Sequence, residues 1–195
     1  MGHSLDPISD GCYPGTTVLI NKLDIRDEAT LQEAETLATY INASKLEECP
    51  FAGAFDFSHY RAIHYFLFSD LYDWAGQVRT VNISKKGTSF CPAEEIERQA
   101  QLVFRRLADR NYFRGLSYAA FVDEIVDFYC VTNMLHPFRE GNGRAQRAFL
   151  AQLIRAAGYD INWADVDADL LMFSTIQSAN GVTDLLKNVL SEAIH

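Results

Sequence analysis

Apolar side chains recur at three- and four-residue spacing through most of the chain, and that period predicts helices. Residues 28–48 carry Leu31, Ala34, Leu37, Ala38 and Ile41 on such a stripe, which predicts an amphipathic helix with this stripe toward the core. A second helix is predicted over 58–73, capped by Asp56 or Ser58, with Ile63, Phe66, Leu67 and Leu71 inward. Then the period changes. Over 74–92 the β-favouring pieces Val78 to Ile83 and Thr88 to Phe90 flank Lys85-Lys86-Gly87, which predicts a short hairpin with a basic tip.

Helical spacing returns over 93–109, where Pro92 and Glu94-Glu95 suit a helix N-terminus. Residues 117–135 are apolar nearly all round, with Phe121, Ile125, Phe128 and Leu135, and predict a buried central helix that Pro137 ends. A helix over 145–157 places Phe149, Leu150, Leu153, Ile154 and Ala157 on one face and stops at Gly158, which suits the left-handed residue after a helix. Two last helical pieces, 163–178 and 182–193, flank Ala179-Asn180-Gly181. With no repeat and no linker, the expected class is all-α, one structural domain interrupted by one hairpin. Residues 1–50 are its N-terminal extension and first helix, and 51–195 its core.

Composition narrows the function classes. The chain has 195 residues, 17 basic and 26 acidic, for a formal charge of −9. A chain of this length buries roughly 70% of its unfolded surface, enough for a core without disulfides or a structural metal. Its negative surface repels phosphate backbones, so nucleic acid is not an expected partner. No apolar run approaches a bilayer's thickness, and the start lacks the basic and apolar regions of a secretion signal, so no membrane association is expected. Cys12, Cys49, Cys91 and Cys130 show no C-x-x-C spacing and read as free thiols in a reducing, cytoplasmic setting.

One connection between helices carries more chemistry than a turn requires. His136-Pro137-Phe138-Arg139-Glu140-Gly141-Asn142-Gly143-Arg144, followed by Arg147, places a histidine, a carboxylate, two glycines and arginines at the start of the 145–157 helix. Gly141 and Gly143 permit positive φ, so that successive N–H groups can converge on one anion, where the helix dipole also favours negative charge. Arg144 and Arg147, three apart, can reach back with forked donors suited to phosphate. Glu140 offers a hard oxygen for Mg²⁺ beside a polyphosphate, and His136 can take a proton from an attacking hydroxyl. From Arg139 to Arg155 four arginines face the single acid Glu140, a local charge of +3.

HPFREGNGRAQR at 136–147 matches the Fic signature H-P-F-x-D/E-G-N-G-R-x-x-R at every defined position. The resemblance extends to Tyr13-Pro14-Gly15, Asn21-Lys22-Leu23, the stretch HYFLFSDLYDWAG from His64 to Gly76, Arg79, Asn82-Ile83-Ser84-Lys85, Gly158-Tyr159-Asp160 and Trp163, in the manner of toxin and effector Fic domains. It implies a helical domain that transfers AMP from ATP to a Tyr, Ser or Thr hydroxyl of a target protein, releasing pyrophosphate. His136 is then the general base and Glu140 holds Mg²⁺. Gly141, Asn142 and Gly143 form the anion hole, Arg144 and Arg147 bind the β- and γ-phosphates, and Phe138 anchors the loop. The hairpin at about 79–91 corresponds to a flap, in which Asn82, Ile83, Ser84, Lys85, Lys86 and Gly87 hold the target segment in extended form. Glycine at 143, where the phosphorylating Doc-type branch resembles a lysine, favours nucleotidyl transfer. The remaining alternatives are UMP or phosphocholine transfer, removal of AMP, or a catalytically silent nucleotide- or partner-binding module.

The resemblance also bears on regulation and targets. Many Fic proteins carry an inhibitory helix reading Ser or Thr, three variable residues, Glu, then Gly or Asn. Only Glu140 here precedes Gly or Asn, and it lacks the hydroxyl residue four positions earlier; Ser44 to Cys49 fails at its last position. Inhibition is therefore expected in trans, from a small antitoxin-like protein. Toxin-like relatives point to type II topoisomerases as a target class, and effector relatives to translocation into another cell.

Other residues read more plainly. His59 and His64, five apart, do not share a helix face as zinc ligands would. Trp74 and Trp163 read as packing. Ala179-Asn180-Gly181 either borders the nucleoside or only turns the chain.

Overall fold

The computed structural model describes residues 11–51, 53–85 and 87–195. Among these the elements run α1 (Glu28–Glu48), α2 (Phe57–Phe68), β1 (Ser84–Lys85), β2 (Thr88–Ser89), α3 (Ile96–Asp109), α4 (Tyr118–Leu135), α5 (Asn142–Ala157), α6 (Ala168–Ala179) and α7 (Asp184–Ala193). The fold is all-α with one two-stranded antiparallel hairpin. Its strands pair Ser84 with Ser89 and Lys85 with Thr88.

The core forms where α2, α4 and α5 meet. Ile63 and Leu67 of α2, Phe121 and Ile125 of α4, and Phe149, Leu150 and Leu153 of α5 are fully buried there. The apolar stripes predicted for α4 and α5 are the ones that pack. α1 packs on α2, α3 and α7 flank α4, and α6 lies against α4 and α7. The Ile161–Ile194 bridge and reciprocal bonds between Asp160 and His195 (2.7 and 3.0 Å) tie the α7 end back beside α5.

Several boundaries and one face differ from the sequence expectation. In α1 the buried row is Leu31, Glu35, Thr39, Asn42 and Leu46, while Leu37 is 62% and Ile41 43% exposed. Polar contacts choose that row: Glu35 meets Tyr72 and Arg144, and Asn42 Nδ2 donates to Asp70 at 3.1 Å. Apolar spacing is blind to such a seam.

Helix α2 ends at Phe68 rather than 73, capped at its start by Asp56, whose Oδ1 accepts from His59 N at 2.8 Å. Val78 to Ile83 is not a strand: Arg79 N donates to Pro137 O in the loop after α4 at 2.9 Å, Val81 O accepts from the Arg79 side chain, and only Ile83, whose carbonyl accepts from Phe90 N at 3.3 Å, continues the hairpin. The segment expected as a helix over 163–178 is a 3₁₀ turn at Trp163–Asp165, then α6, whose cap Asp167 accepts from Leu170 N. Helix α5 begins at Asn142, three residues earlier than its apolar period suggests. Cys12, Cys49, Cys91 and Cys130 are free thiols.

Candidate active site

Helix α4 ends in a left-handed residue, and it is His136, at φ 42° and ψ 59°. A non-glycine residue in that region is strained by about 1–2 kcal/mol, and such strain persists only where the surroundings impose it. Here the imposition is visible. His136 N donates to Thr132 O at 3.2 Å, and its carbonyl accepts from Arg79 Nε at 2.8 Å. Phe90, just past β2, stacks on the imidazole with ring centroids 3.7 Å apart.

The imidazole is poised as a base. Its Nδ1 lies 3.2 Å from Asn133 O; a carbonyl only accepts, so Nδ1 carries the hydrogen and Nε2 keeps its lone pair. Burial pushes its pKa down to about 4, opposed by the Asn133 bond and Glu140. The ring is therefore neutral near pH 7.

The loop that follows is braced from inside. Asn142 spans it, with Oδ1 accepting from Phe138 N at 2.8 Å and Nδ2 donating to Phe138 O at 2.7 Å. Phe138 is fully buried and stacks on His64 at 3.8 Å. Gly141, at φ 78°, starts α5, and a Cβ there would lie 2.2 Å from the Phe68 ring, so no side chain fits. Gly143, in contrast to the expected loop conformation, lies in the first helical turn. A Cβ on it would meet Arg147 Nη1 at 3.4 Å, so its glycine leaves that guanidinium room.

As at any helix start, the first-turn N–H groups of α5 lack intrahelical carbonyls, and the dipole adds positive potential there. Of that turn, Gly143 lines a cavity of about 440 Å³, together with His136 and Arg147, with Lys85, Thr88 and Phe90 of the hairpin, and with Tyr129, Gln146 and Thr175. Trp163 and Ala179 also line it, whereas Asn180 and Gly181 do not; Asn180 Nδ2 turns back to Ile176 O.

The arginines separate into distinct roles. Arg147 meets no carboxylate within ion-pair distance among the described residues. Arg144 pairs with Glu35 at 2.7 Å and lies over the Phe68 ring at 4.7 Å. Arg155 pairs with Glu47 and, at 2.7 Å, with Asp160 near the far end of α5. The local excess of cations in the sequence is thus largely compensated by carboxylates from elsewhere in the chain, and Arg147 is left uncompensated beside the helix N-terminus.

Sequence reasoning assigned no role to His64, Arg79, Phe90, Glu35 or Tyr72, all of which position the loop. His64 Nδ1 accepts from Gly76 N at 2.9 Å, so its Nε2 carries hydrogen and donates to Glu140 O at 2.9 Å. Burial pushes its pKa down to about 4. Tyr72 donates to Glu35 behind Arg144, and burial raises its pKa. The signal was present for three of them: His64, Tyr72 and Arg79 lie in segments that carry the family resemblance. Of the hairpin residues, Lys85 reaches the cavity, Asn82 Oδ1 accepts from Ala93 N at 2.8 Å, and Lys86 lies outside the described residues.

A helix-capping histidine, a glycine-started helix N-terminus and a hairpin over one cavity define the class, and the chain belongs to the Fic/DOC family, whose model matches residues 54–154. Among its relatives are the protein adenylyltransferase VbhT of Bartonella schoenbuchensis, 39% identical over 94% of this chain, and the probable protein adenylyltransferase y4lH of Sinorhizobium fredii, 41% identical over 90%. The chain spans 38% of the length of VbhT and 89% of y4lH. In structure it is similar to BepC of Bartonella tribocorum with bound AMPPNP, at TM-score 0.90 and 26% identity, over 96% of this chain and 97% of that one. A Fic domain from Bartonella quintana with bound ADP gives TM-score 0.91 and 26% identity, over 97 and 96% of the two chains.

Proposed function

We propose that this chain is a protein adenylyltransferase of Fic type, a nucleotidyltransferase that moves AMP from ATP to a hydroxyl side chain of a target protein. The observation that carries this is the neutral His136 imidazole, Nε2 unprotonated, facing one cavity with Arg147 and the start of α5. His136 Nε2 takes the proton of the target hydroxyl; its oxygen bonds the α-phosphorus as the bond to the bridging oxygen breaks, and pyrophosphate leaves. The N–H groups at Asn142 and Gly143 and the two motif arginines neutralise the phosphates, while the Gly141 N–H, the third group of the loop, donates to the Glu140 carboxylate beside them. Arg147 meets them directly. Arg144 uses Nη2 on Glu35 and keeps further donors for the phosphates.

The donor set fits Mg²⁺. Glu140 is half-exposed, and its Oε1 accepts from Gly141 N at 2.9 Å. Among the described residues no group of three or more His, Cys, Asp or Glu gathers to hold a metal. One carboxylate plus phosphate oxygens and water is the coordination Mg²⁺ favours, and when bound the ion neutralises charge on the phosphates.

The hairpin over the cavity presents the backbone of Ile83 to Lys85 for pairing with an extended target segment. The first target to assay is a type II topoisomerase, the class to which the resemblance points. An inhibitor in trans is supported by a groove of about 420 Å³ between α1 and α5 that reaches Arg144 and Arg147 and is lined by the exposed Tyr40; Leu37 and Ile41 are exposed on the same helix.

Incubation with lysate and Mg-ATP should label a protein from the α- but not the γ-phosphate. His136→Ala should abolish labelling and leave the ATP Kd within about threefold, since the imidazole moves a proton and does not hold phosphate. Label from the γ-phosphate, or labelling that survives His136→Ala, sinks the reading.

A further inference from the structure

The Arg79 side chain is 5% exposed, yet no carboxylate among the described residues lies within ion-pair distance of it. Its guanidinium is used entirely on backbone carbonyls. Nε donates to His136 O at 2.8 Å, Nη1 to Val81 O at 2.6 Å and Nη2 to Cys91 O at 2.5 Å, while its own N–H donates to Pro137 O. Val81 and Cys91 stand at the two roots of the hairpin. One planar fork therefore joins both roots of the hairpin to the peptide that sets the backbone of His136.

A buried guanidinium without a counter-ion is costly unless its donors are matched. Three carbonyls, one on each guanidinium nitrogen, take up three of its five N–H donors, and a lysine ammonium cannot reach all three positions at once. Two further contacts close the same unit: Phe90 lies on the imidazole, and Cys91 N donates to Met134 O at 2.9 Å. The hairpin has only two paired positions of its own, so its placement comes from these roots and not from its ladder.

We propose that Arg79 is a positioning residue that fixes the flap and the left-handed His136 as one rigid unit, so that the hydroxyl held by the flap and the base that deprotonates it keep a constant distance. Arg79 touches neither nucleotide nor target. The inference rests on the transfer reading for its rate effect, and on the structure alone for the link between hairpin and loop.

The test uses Arg79→Lys, which keeps a buried cation of similar length, with Arg79→Met as the stronger break. In Arg79→Lys, kcat for target modification should fall about 10- to 100-fold, the loss that misplacement of reacting groups by about 1 Å produces, with the Kd for Mg-ATP within about twofold. Trypsin should cut after Lys85 in the hairpin faster than in the parent, while cutting after Lys187 on α7 stays unchanged. A rise at both sites together shows an Arg79 that only supports the fold, and it overturns the proposal. So does an unchanged rate at both sites. If the parent chain labels no target at all, the transfer reading fails, yet the cleavage pair still decides whether Arg79 pins the flap.

Discussion

His136 ends a helix, adopts a left-handed backbone, stacks under Phe90 and carries its proton on Nδ1. No one of these features is chemistry; together they present one lone pair to the cavity. Gly141 is the residue on which that arrangement depends most simply. Its positive φ and the Phe68 ring 2.2 Å from any Cβ exclude a side chain on two grounds. Gly141→Ala should therefore destabilise the chain by about 2–4 kcal/mol, as overpacking adds to strain at positive φ, and it should weaken ATP binding by displacing the first turn of α5. Urea unfolding and calorimetric titration with Mg-ATP read the two effects separately. The same replacement at Gly143, whose Cβ would meet only a flexible guanidinium end, should cost stability far less and act through Arg147.

At the scale of elements, α1 teaches the most. Its apolar stripe was readable, yet the helix buries Glu35, Thr39 and Asn42 and turns Leu37 and Ile41 outward. The buried row is polar because it faces Arg144, Tyr72 and Asp70, so α1 braces the start of α5 from behind. Replacing Leu37 and Ile41 together by Ser should leave stability within about 1 kcal/mol, since neither fills the core. Replacing Glu35 by Ala should cost about 1–3 kcal/mol, by stripping the buried acceptor from Tyr72 and leaving Arg144 only Glu140, at 3.7 Å. Thermal melts of the two variants check both statements. If the outward face receives a regulator, the Ser pair should also weaken inhibition while leaving the free enzyme's rate unchanged.

Across the whole molecule, three histidines whose pKa burial lowers, His59, His64 and His136, link stability to pH. His64 and His136 are both pushed down to about 4 by burial, whereas in an unfolded chain they titrate near 6.5. Below pH 6.5 the unfolded chain takes up protons that the folded chain refuses, so stability is complete above that pH and is lost as pH falls toward 4. The loss amounts to about 3 kcal/mol for His64 alone. Denaturant midpoints between pH 7.5 and 4.5 should fall accordingly, and His136→Ala should flatten the slope. A midpoint that holds or rises over that range would contradict the burial of both rings.

What the sequence determined by itself was local. The apolar period set the helices, and their stripes set the cores of α4 and α5, because burial of those faces has no competitor. The motif at 136–147 named the histidine, the carboxylate and the glycines, because close backbone approach and proton transfer each admit few residue types. Composition gave the net charge of −9 but not where charge is left uncompensated. Only the tertiary structure decided that Arg147 meets no carboxylate among the described residues while Arg144 and Arg155 are paired, and that the Arg79 backbone bonds the loop after α4 instead of lying in a strand. It also decided that α1 packs by its polar row and that Arg79 joins the hairpin to the His136 backbone. The physical reason is common to all four. Each outcome depends on which donor or acceptor from a distant segment arrives at the same place, and a buried polar group takes the partner it meets in space, whatever its spacing along the chain.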